Sequence, residues 1–139
     1  MPTELLSAWP AEQEELKRAF AELTKDLESR PGTTMSLVSR PGISYSCRAS
    51  AARTGPGGDR PVYCLVDVVL SPTDPWFLSV CFYEDEVDDP EELGNPIPQG
   101  LFRETGYCFD VEEYDAHFLS YLKERISEAR ANAGGRPPV

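Results

Sequence analysis

Two apolar runs separated by five residues constrain the fold of this chain more than any other feature. They are VYCLVDVVL, residues 62–70, and WFLSVCFYE, residues 76–84, and SPTDP joins them. Both runs are rich in β-branched and aromatic residues, and the linker contains the residues that form tight turns. The sequence therefore predicts a central antiparallel hairpin. Because its apolar residues occupy neighbouring as well as alternate positions, both faces of this hairpin should be covered.

Further strands are predicted on either side of the hairpin. In ISYSCRAS, residues 43–50, apolar and polar residues alternate, as they do in a strand with one face in the core and one in water. MSLVS, residues 35–39, predicts a strand ahead of it, and Arg40-Pro41-Gly42 supplies the turn between the two. LFRETGYCF, residues 101–109, adds a short fifth strand.

Two amphipathic helices are predicted at the ends of the chain. In residues 10–32 the apolar positions follow a 3.6-residue period, and they are Leu16, Ala19, Phe20, Leu23 and Leu27. A second helix should follow Asp110, which can act as its N-cap together with Glu113 in a capping-box-like arrangement. We expect this helix to end near Ala133, where two glycines follow.

These elements predict a single α+β domain spanning residues 1–133. Its two layers are an antiparallel sheet of four to five strands and the N-terminal and C-terminal helices, packed on one face of the sheet. The other face needs a second cover, either a long loop or a partner subunit. Residues 51–60 are expected to form a flexible protruding loop, residues 84–100 mostly turns, and residues 134–139 a disordered tail.

The composition limits the classes of partner. The formal net charge is −11 and the sequence pI is near 4.5, so most of the surface should repel nucleic acid and anionic membranes. No stretch approaches the ~18 apolar residues that a membrane helix requires, and the acidic N-terminal segment does not resemble a signal peptide. We therefore expect a cytoplasmic protein that has no nucleic-acid or membrane partner.

The charges are also divided unevenly along the chain. Residues 30–60 contain five arginines and a single acid, Asp59, whereas residues 61–102 contain no lysine or arginine. This division predicts a charge match between the two blocks, either within one chain or between two copies in a dimer.

The acidic segment, residues 84–92, contains carboxylates at seven of its nine positions, EDEVDDPEE. Calcium needs several oxygens converging on one point, but consecutive acids and a proline do not match an EF-hand loop. Glu84, Glu86, Asp88 and Asp89 are thus weak metal candidates, and no metal site is predicted. The alternatives are a solvated strand end and a partner-binding patch. The patch would be formed by Glu84, Asp85, Glu86, Asp88, Asp89, Glu91 and Glu92.

The four cysteines, Cys47, Cys64, Cys81 and Cys108, all lie in predicted strands. The chain contains no C-x-x-C pair and one histidine, which does not favour a zinc or redox site. We expect four buried free thiols and no disulfide, because thiols stay reduced in the cytoplasm. A catalytic site is not predicted. The weak candidates are Cys108 as a nucleophile, close to the predicted helix start, and His117 as its base.

An anion site is a further minor hypothesis. The GPGG sequence of the 51–60 loop lacks the phosphate-binding motifs and is interpreted as a hairpin loop. Arg48, Arg53 and Arg60 could bind an anion together, but surface arginines more often pair with carboxylates.

Two functional hypotheses follow. The first is a non-enzymatic protein-interaction module, adaptor or chaperone-like, that forms a homodimer and holds a protein partner through the acidic segment and the open face of the sheet. The second is a small-molecule-binding domain or enzyme with a pocket between the sheet and residues 84–107. This pocket would use Arg103, Glu104, Tyr107, Cys108 and His117. Neither hypothesis calls for a cofactor.

Overall fold

The computed structural model of the protein describes residues 3–53 and 58–133. Its α-helices are α1 (Thr3–Ala8), α2 (Glu14–Ser29) and α3 (Ala116–Ala133). Its strands are β1 (Thr34–Arg40), β2 (Ser44–Ser50), β3 (Cys64–Val69), β4 (Phe77–Tyr83), β5 (Asn95–Leu101) and β6 (Glu104–Val111). Short 3₁₀ turns precede α2 at Ala11–Gln13 and follow β4 at Glu84–Glu86.

The strands form one antiparallel sheet in the order β1-β2-β3-β4-β6-β5, which confirms the predicted α+β class. The sheet has six strands instead of the predicted four to five, because β5 forms in the segment that we expected to be turns. Pro96 and Pro98 made this segment resemble a loop. They are tolerated in β5 because it is an edge strand that pairs only with β6.

The helices pack on one face of the sheet, which we call the covered face, and the main core lies between the two layers. The apolar stripe predicted for α2 is entirely buried there. From the sheet, the covered face contributes alternate residues of β3, β4 and β6: Cys64, Val66, Val68, Leu78, Val80, Phe82, Phe109 and Val111. At the helix start, Trp9 packs against Phe20 and Trp76 with ring centroids 5.6 and 5.4 Å apart.

The predicted start of the last helix is wrong. β6 continues through Val111, which pairs with Leu78, so Asp110 and the following residue belong to a strand. The cap is Asp115, whose Oδ1 accepts a hydrogen bond of 3.1 Å from the backbone N–H of Phe118. The pairing of β6 with β4 carries the strand past Asp110 and moves the helix start to Asp115. α3 is described as far as Ala133, where the described residues end, so the predicted helix end lies at that limit.

The opposite face of the sheet, which we call the open face, has a much smaller core. Its buried apolar residues are Val62, Leu65, Cys81, Tyr83 and Leu101. Leu101 ends β5, so the β5–β6 hairpin supplies part of the second cover that the sequence predicted. The remainder of the open face carries polar and charged side chains of β2 and β3.

Some expectations fall outside the described residues. These are the disordered tail at 134–139 and the centre of the 51–60 loop, residues 54–57. Among the helices of the described ranges, none combines the length and apolar character needed to cross a membrane.

Candidate functional site

The acidic segment starts at a buried ion pair. Glu86 accepts two hydrogen bonds from Arg53, of 2.6 Å to Oε2 and 2.9 Å to Oε1, and Arg53 also donates to the carbonyl of Val62. Their side chains are 2% and 6% exposed, so both charges are withdrawn from water. A paired and bidentate geometry is what makes such burial tolerable. The pair fixes the end of β4 to the chain that leads into β3.

A second arginine neutralises the next carboxylate. Arg60 donates to both oxygens of Asp85, at 2.9 and 3.0 Å, and to both oxygens of Glu104. Its guanidinium also lies 4.3 Å from the centroid of the Tyr83 ring. The hydrogen bond from Arg60 lowers the pKa of Asp85. Arg53 and Arg60 thus join the basic and acidic blocks within one chain.

Asp89 anchors the acidic segment through hydrogen bonds. It accepts hydrogen bonds from the hydroxyls of Tyr107 and Tyr121, and from the backbone N–H groups of Leu93 and Gly94 at 3.0 and 2.9 Å. Burial alone would raise its pKa, but these four donors outweigh that effect and lower the pKa to about 2. Asp89 is therefore a structural carboxylate that ties the segment to β6 and α3.

The other four carboxylates of the segment, Glu84, Asp88, Glu91 and Glu92, are exposed. Among the described residues, Glu91 alone of these four has a basic side chain within 4.0 Å, since His117 Nε2 lies 3.5 Å from its Oε1. Leu93 follows Glu92 in the chain and Ile97 lies further on in β5, and each is 42% exposed. We call these six residues the acidic edge. The structure divides the predicted patch into three anchored carboxylates and four that face solvent.

The metal candidates do not converge. Glu86 is held by Arg53 and Asp89 by two tyrosines, whereas Glu84 and Asp88 are exposed. Across residues 3–53 and 58–133, no group of three or more His, Cys, Asp or Glu side chains has the arrangement of a metal site.

The expectation of four free thiols is wrong. Cys81 and Cys108 lie directly opposite each other on β4 and β6 and form a disulfide. Strand register brings them together, although 27 positions separate them in the sequence. Cys47 and Cys64 are free and buried, as expected, and burial raises the pKa of both thiols, that of Cys47 to about 11.

The candidate catalytic pair is not assembled. Cys108 is bonded to Cys81, and His117, with a side chain that is 77% exposed, contacts Glu91 instead. The remaining residues of the proposed 84–107 pocket are also dispersed. Glu104 pairs with Arg60, Tyr107 bonds Asp89, and Arg103 is exposed in the β5–β6 turn.

A different cavity does lie between the sheet and the β5–β6 hairpin. Its volume is about 290 Å³, and we call it the open-face cavity. It is lined by Arg40, Ser44, Ser46, Arg48, Leu65, Asp67, Gly100, Leu101 and Phe102. Arg48 thus lies apart from Arg53 and Arg60, so the three arginines of the anion hypothesis do not act together.

Sequence reasoning missed Arg40, Ser46 and Asp67 as site residues. One signal was present, because Asp67 is an acid within the otherwise apolar run VYCLVDVVL. A carboxylate in such a run needs a partner or a function.

Comparisons of the chain with protein-family models, with curated proteins and with solved structures find no match. The functional assignment therefore depends on the geometry described above.

Proposed function

We propose that this protein is a non-enzymatic interaction module, adaptor or chaperone-like, that binds a basic and apolar segment of a protein partner through the acidic edge. One observation carries the proposal. Arg53, Arg60 and the two tyrosines anchor three carboxylates of the acidic segment, and the other four are exposed, as are two apolar side chains that come after them in the chain.

The anchoring matters for the energetics of binding. A flexible acidic loop would lose conformational entropy when it bound a partner, but here the backbone is already fixed at Asp85, Glu86 and Asp89. The exposed carboxylates would steer a basic segment to the surface, and Leu93 and Ile97 would supply apolar area once it is bound. A second copy of this acidic chain does not fit the same surface, because its charge has the same sign.

The test uses an array of synthetic peptides that vary independently in lysine and arginine content and in leucine content. We expect peptides with both features to bind, with affinity falling as salt is added. The variant Glu84→Gln/Asp88→Asn/Glu91→Gln/Glu92→Gln should weaken binding by at least about tenfold, because it removes the steering charge and leaves the anchors intact.

The matched control is Glu4→Gln/Glu12→Gln/Glu28→Gln/Glu113→Gln, which removes four exposed carboxylates from other elements. It has the same net charge as the test variant. Equal weakening in both variants would show that only overall charge matters and would contradict the acidic edge. Absence of binding by every peptide would reject the proposal as well.

We also propose a homodimer, formed through the β1 edge of the sheet. β1 pairs only with β2, and its other side presents a seven-residue edge that contains no proline or lysine. Edges of this kind pair readily with another strand, whereas the prolines of β5 protect the opposite edge. Native mass spectrometry should show a dimer that Leu37→Lys dissociates and Ile43→Lys, in the β1–β2 turn, does not. A monomeric parent protein would contradict this.

The cytoplasmic location belongs to the same proposal. In a reducing compartment, Cys81 and Cys108 should be present as two thiols, and they should form their bond after cell lysis in air. Trapping thiols with an alkylating reagent in intact cells, followed by mass analysis, tests this. Recovery of the bonded form from trapped cells would place the protein in an oxidising compartment.

A further inference from the structure

Arg40 and Arg48 line the open-face cavity, and the carboxylate that faces them there is Asp67. Elsewhere, five arginines lie within ion-pair distance of a carboxylate: Arg18, Arg30, Arg53, Arg60 and Arg125. Arg40 and Arg48 form no hydrogen bond or ion pair with any described residue, and both line the cavity. Unpaired guanidinium groups that share one cavity favour an oxyanion ligand.

The same cavity contains buried polar atoms without partners. They are Arg48 Nε and Asp67 Oδ1. Ser46, which is only 8% exposed, lies directly opposite Asp67 on the neighbouring strand, and its hydroxyl lowers the pKa of that carboxyl group. Buried polar atoms without hydrogen bonds are costly, so two in one cavity indicate a place where a polar molecule completes the site.

Asp67 adds a carboxyl group to the cavity that the two arginines line. Burial raises the pKa of its carboxyl group, and the nearby Ser46, Arg48 and Arg40 partly offset that effect. A ligand that is only an anion would meet this carboxylate and be repelled. A ligand that also carries a cation would pair with it.

The rim of the cavity is formed by an unusual turn. Phe102 and Arg103 connect β5 to β6 with φ angles of 47° and 69°, a left-handed conformation that is strained for residues other than glycine. Asn-Gly normally occupies such hairpin positions. The turn places the Phe102 ring 5.3 Å from the Arg48 guanidinium, so it helps to orient that side chain over the cavity.

We propose that the open-face cavity binds a small zwitterion of the free amino acid class. Its carboxylate would bind the guanidinium groups of Arg48 and Arg40, and its ammonium group would bind Asp67 and Ser46. The volume of about 290 Å³ is just below the range of roughly 300–1,000 Å³ for drug-sized ligands, which suits a ligand of this size. This site uses different residues from the predicted 84–107 pocket and does not depend on the acidic edge.

The test is a titration of the full chain with each of the twenty standard free amino acids up to about 10 mM, a concentration that detects affinities weaker than 1 mM. Binding is followed by ¹H–¹⁵N chemical shifts. We expect at least one amino acid to bind and to move the backbone signals of Ser46, Arg48 and Asp67. Its N-acetyl derivative and its amide, which lack the cation and the anion respectively, should each bind at least about tenfold more weakly.

Two variants assign the charges. Arg48→Met should reduce affinity at least about tenfold, and Asp67→Asn should do so while it preserves the shape of the side chain. Arg18→Met, on the exposed side of α2, is the control for the loss of one cation and should bind normally. The proposal is overturned if no amino acid binds, if the acetylated or amidated form binds as well as the parent, or if Arg18→Met weakens binding as much as Arg48→Met.

Discussion

The two faces of the sheet are built from the same strands and serve different purposes. On the covered face, alternate residues of β3, β4 and β6 join the helices in a continuous apolar core, whose fully buried members include Val66, Val80 and Phe20. The open face has five buried apolar side chains, a disulfide and a polar cavity. Most of the stability should therefore come from the covered face.

Truncation of one aromatic side chain on each face should give the largest difference in stability between the two faces. Phe20→Ala removes a fully buried ring and should lower the free energy of unfolding by about 4 kcal/mol. Phe102→Ala removes a ring that is 42% exposed and should change it by less than about 0.5 kcal/mol. Urea unfolding followed by circular dichroism measures both. Similar losses for the two variants would refute the division of roles.

Near Tyr83, the open face should contribute more to stability than elsewhere, because it contains a buried ion pair. Arg53→Met removes the bidentate partner of the buried Glu86, which is left with the 3.3 Å contact to Arg60 Nη1, and should destabilise the protein by about 3 kcal/mol. Replacing both residues, in Arg53→Met/Glu86→Leu, removes the stranded charge and should recover most of that loss. Urea titrations of the single and double variants test this, and an equal or larger loss in the double variant would show that the pair is not a self-contained unit.

The two faces also differ in the state of their cysteines. The open face holds the Cys81–Cys108 bond and the covered face the free thiols of Cys47 and Cys64. Cys81→Ala/Cys108→Ala should lower the free energy of unfolding by roughly 2 kcal/mol, because the unfolded chain loses a loop constraint. The native protein should react slowly with a thiol reagent, since Cys47 and Cys64 are buried and burial raises their pKa values. Fast reaction of two thiols without unfolding would contradict this placement.

The sequence predicted the covered face well because helix and strand periods report directly which residues are buried. Leu16, Phe20 and Leu23 lie where the 3.6-residue period puts them. The open face depends on contacts between distant segments, such as Arg53 with Glu86 and Ser46 with Asp67, which require the strand register. Strict alternation in ISYSCRAS indicated that Ser46 and Arg48 face water, and it contained no information about the hairpin that encloses them.

Asp67 and Asp89 allow a test with smaller expected effects, because their surroundings shift their pKa values in opposite directions. Burial raises the pKa of Asp67 on the open face, so the ionised form costs stability once the pH exceeds that pKa. Asp67→Asn should therefore stabilise the protein at pH 7 by less than any change above, and the gain should vanish below pH ~4, where the unfolded carboxyl group is also protonated.

Asp89 is the matched control with the opposite sign. Its pKa of about 2 lies below the ordinary value, so its contribution to stability is present at neutral pH and is lost as the pH falls from ~4 towards 2. Asp89→Asn should accordingly destabilise at pH 7 and approach the parent protein in acid. Thermal unfolding of both variants between pH 2 and pH 7 separates the two curves. If Asp67→Asn also destabilised at pH 7, the interactions of the carboxylate with Ser46, Arg48 and Arg40 would outweigh the cost of its burial, and the open-face cavity would have no unmatched charge to offer a ligand.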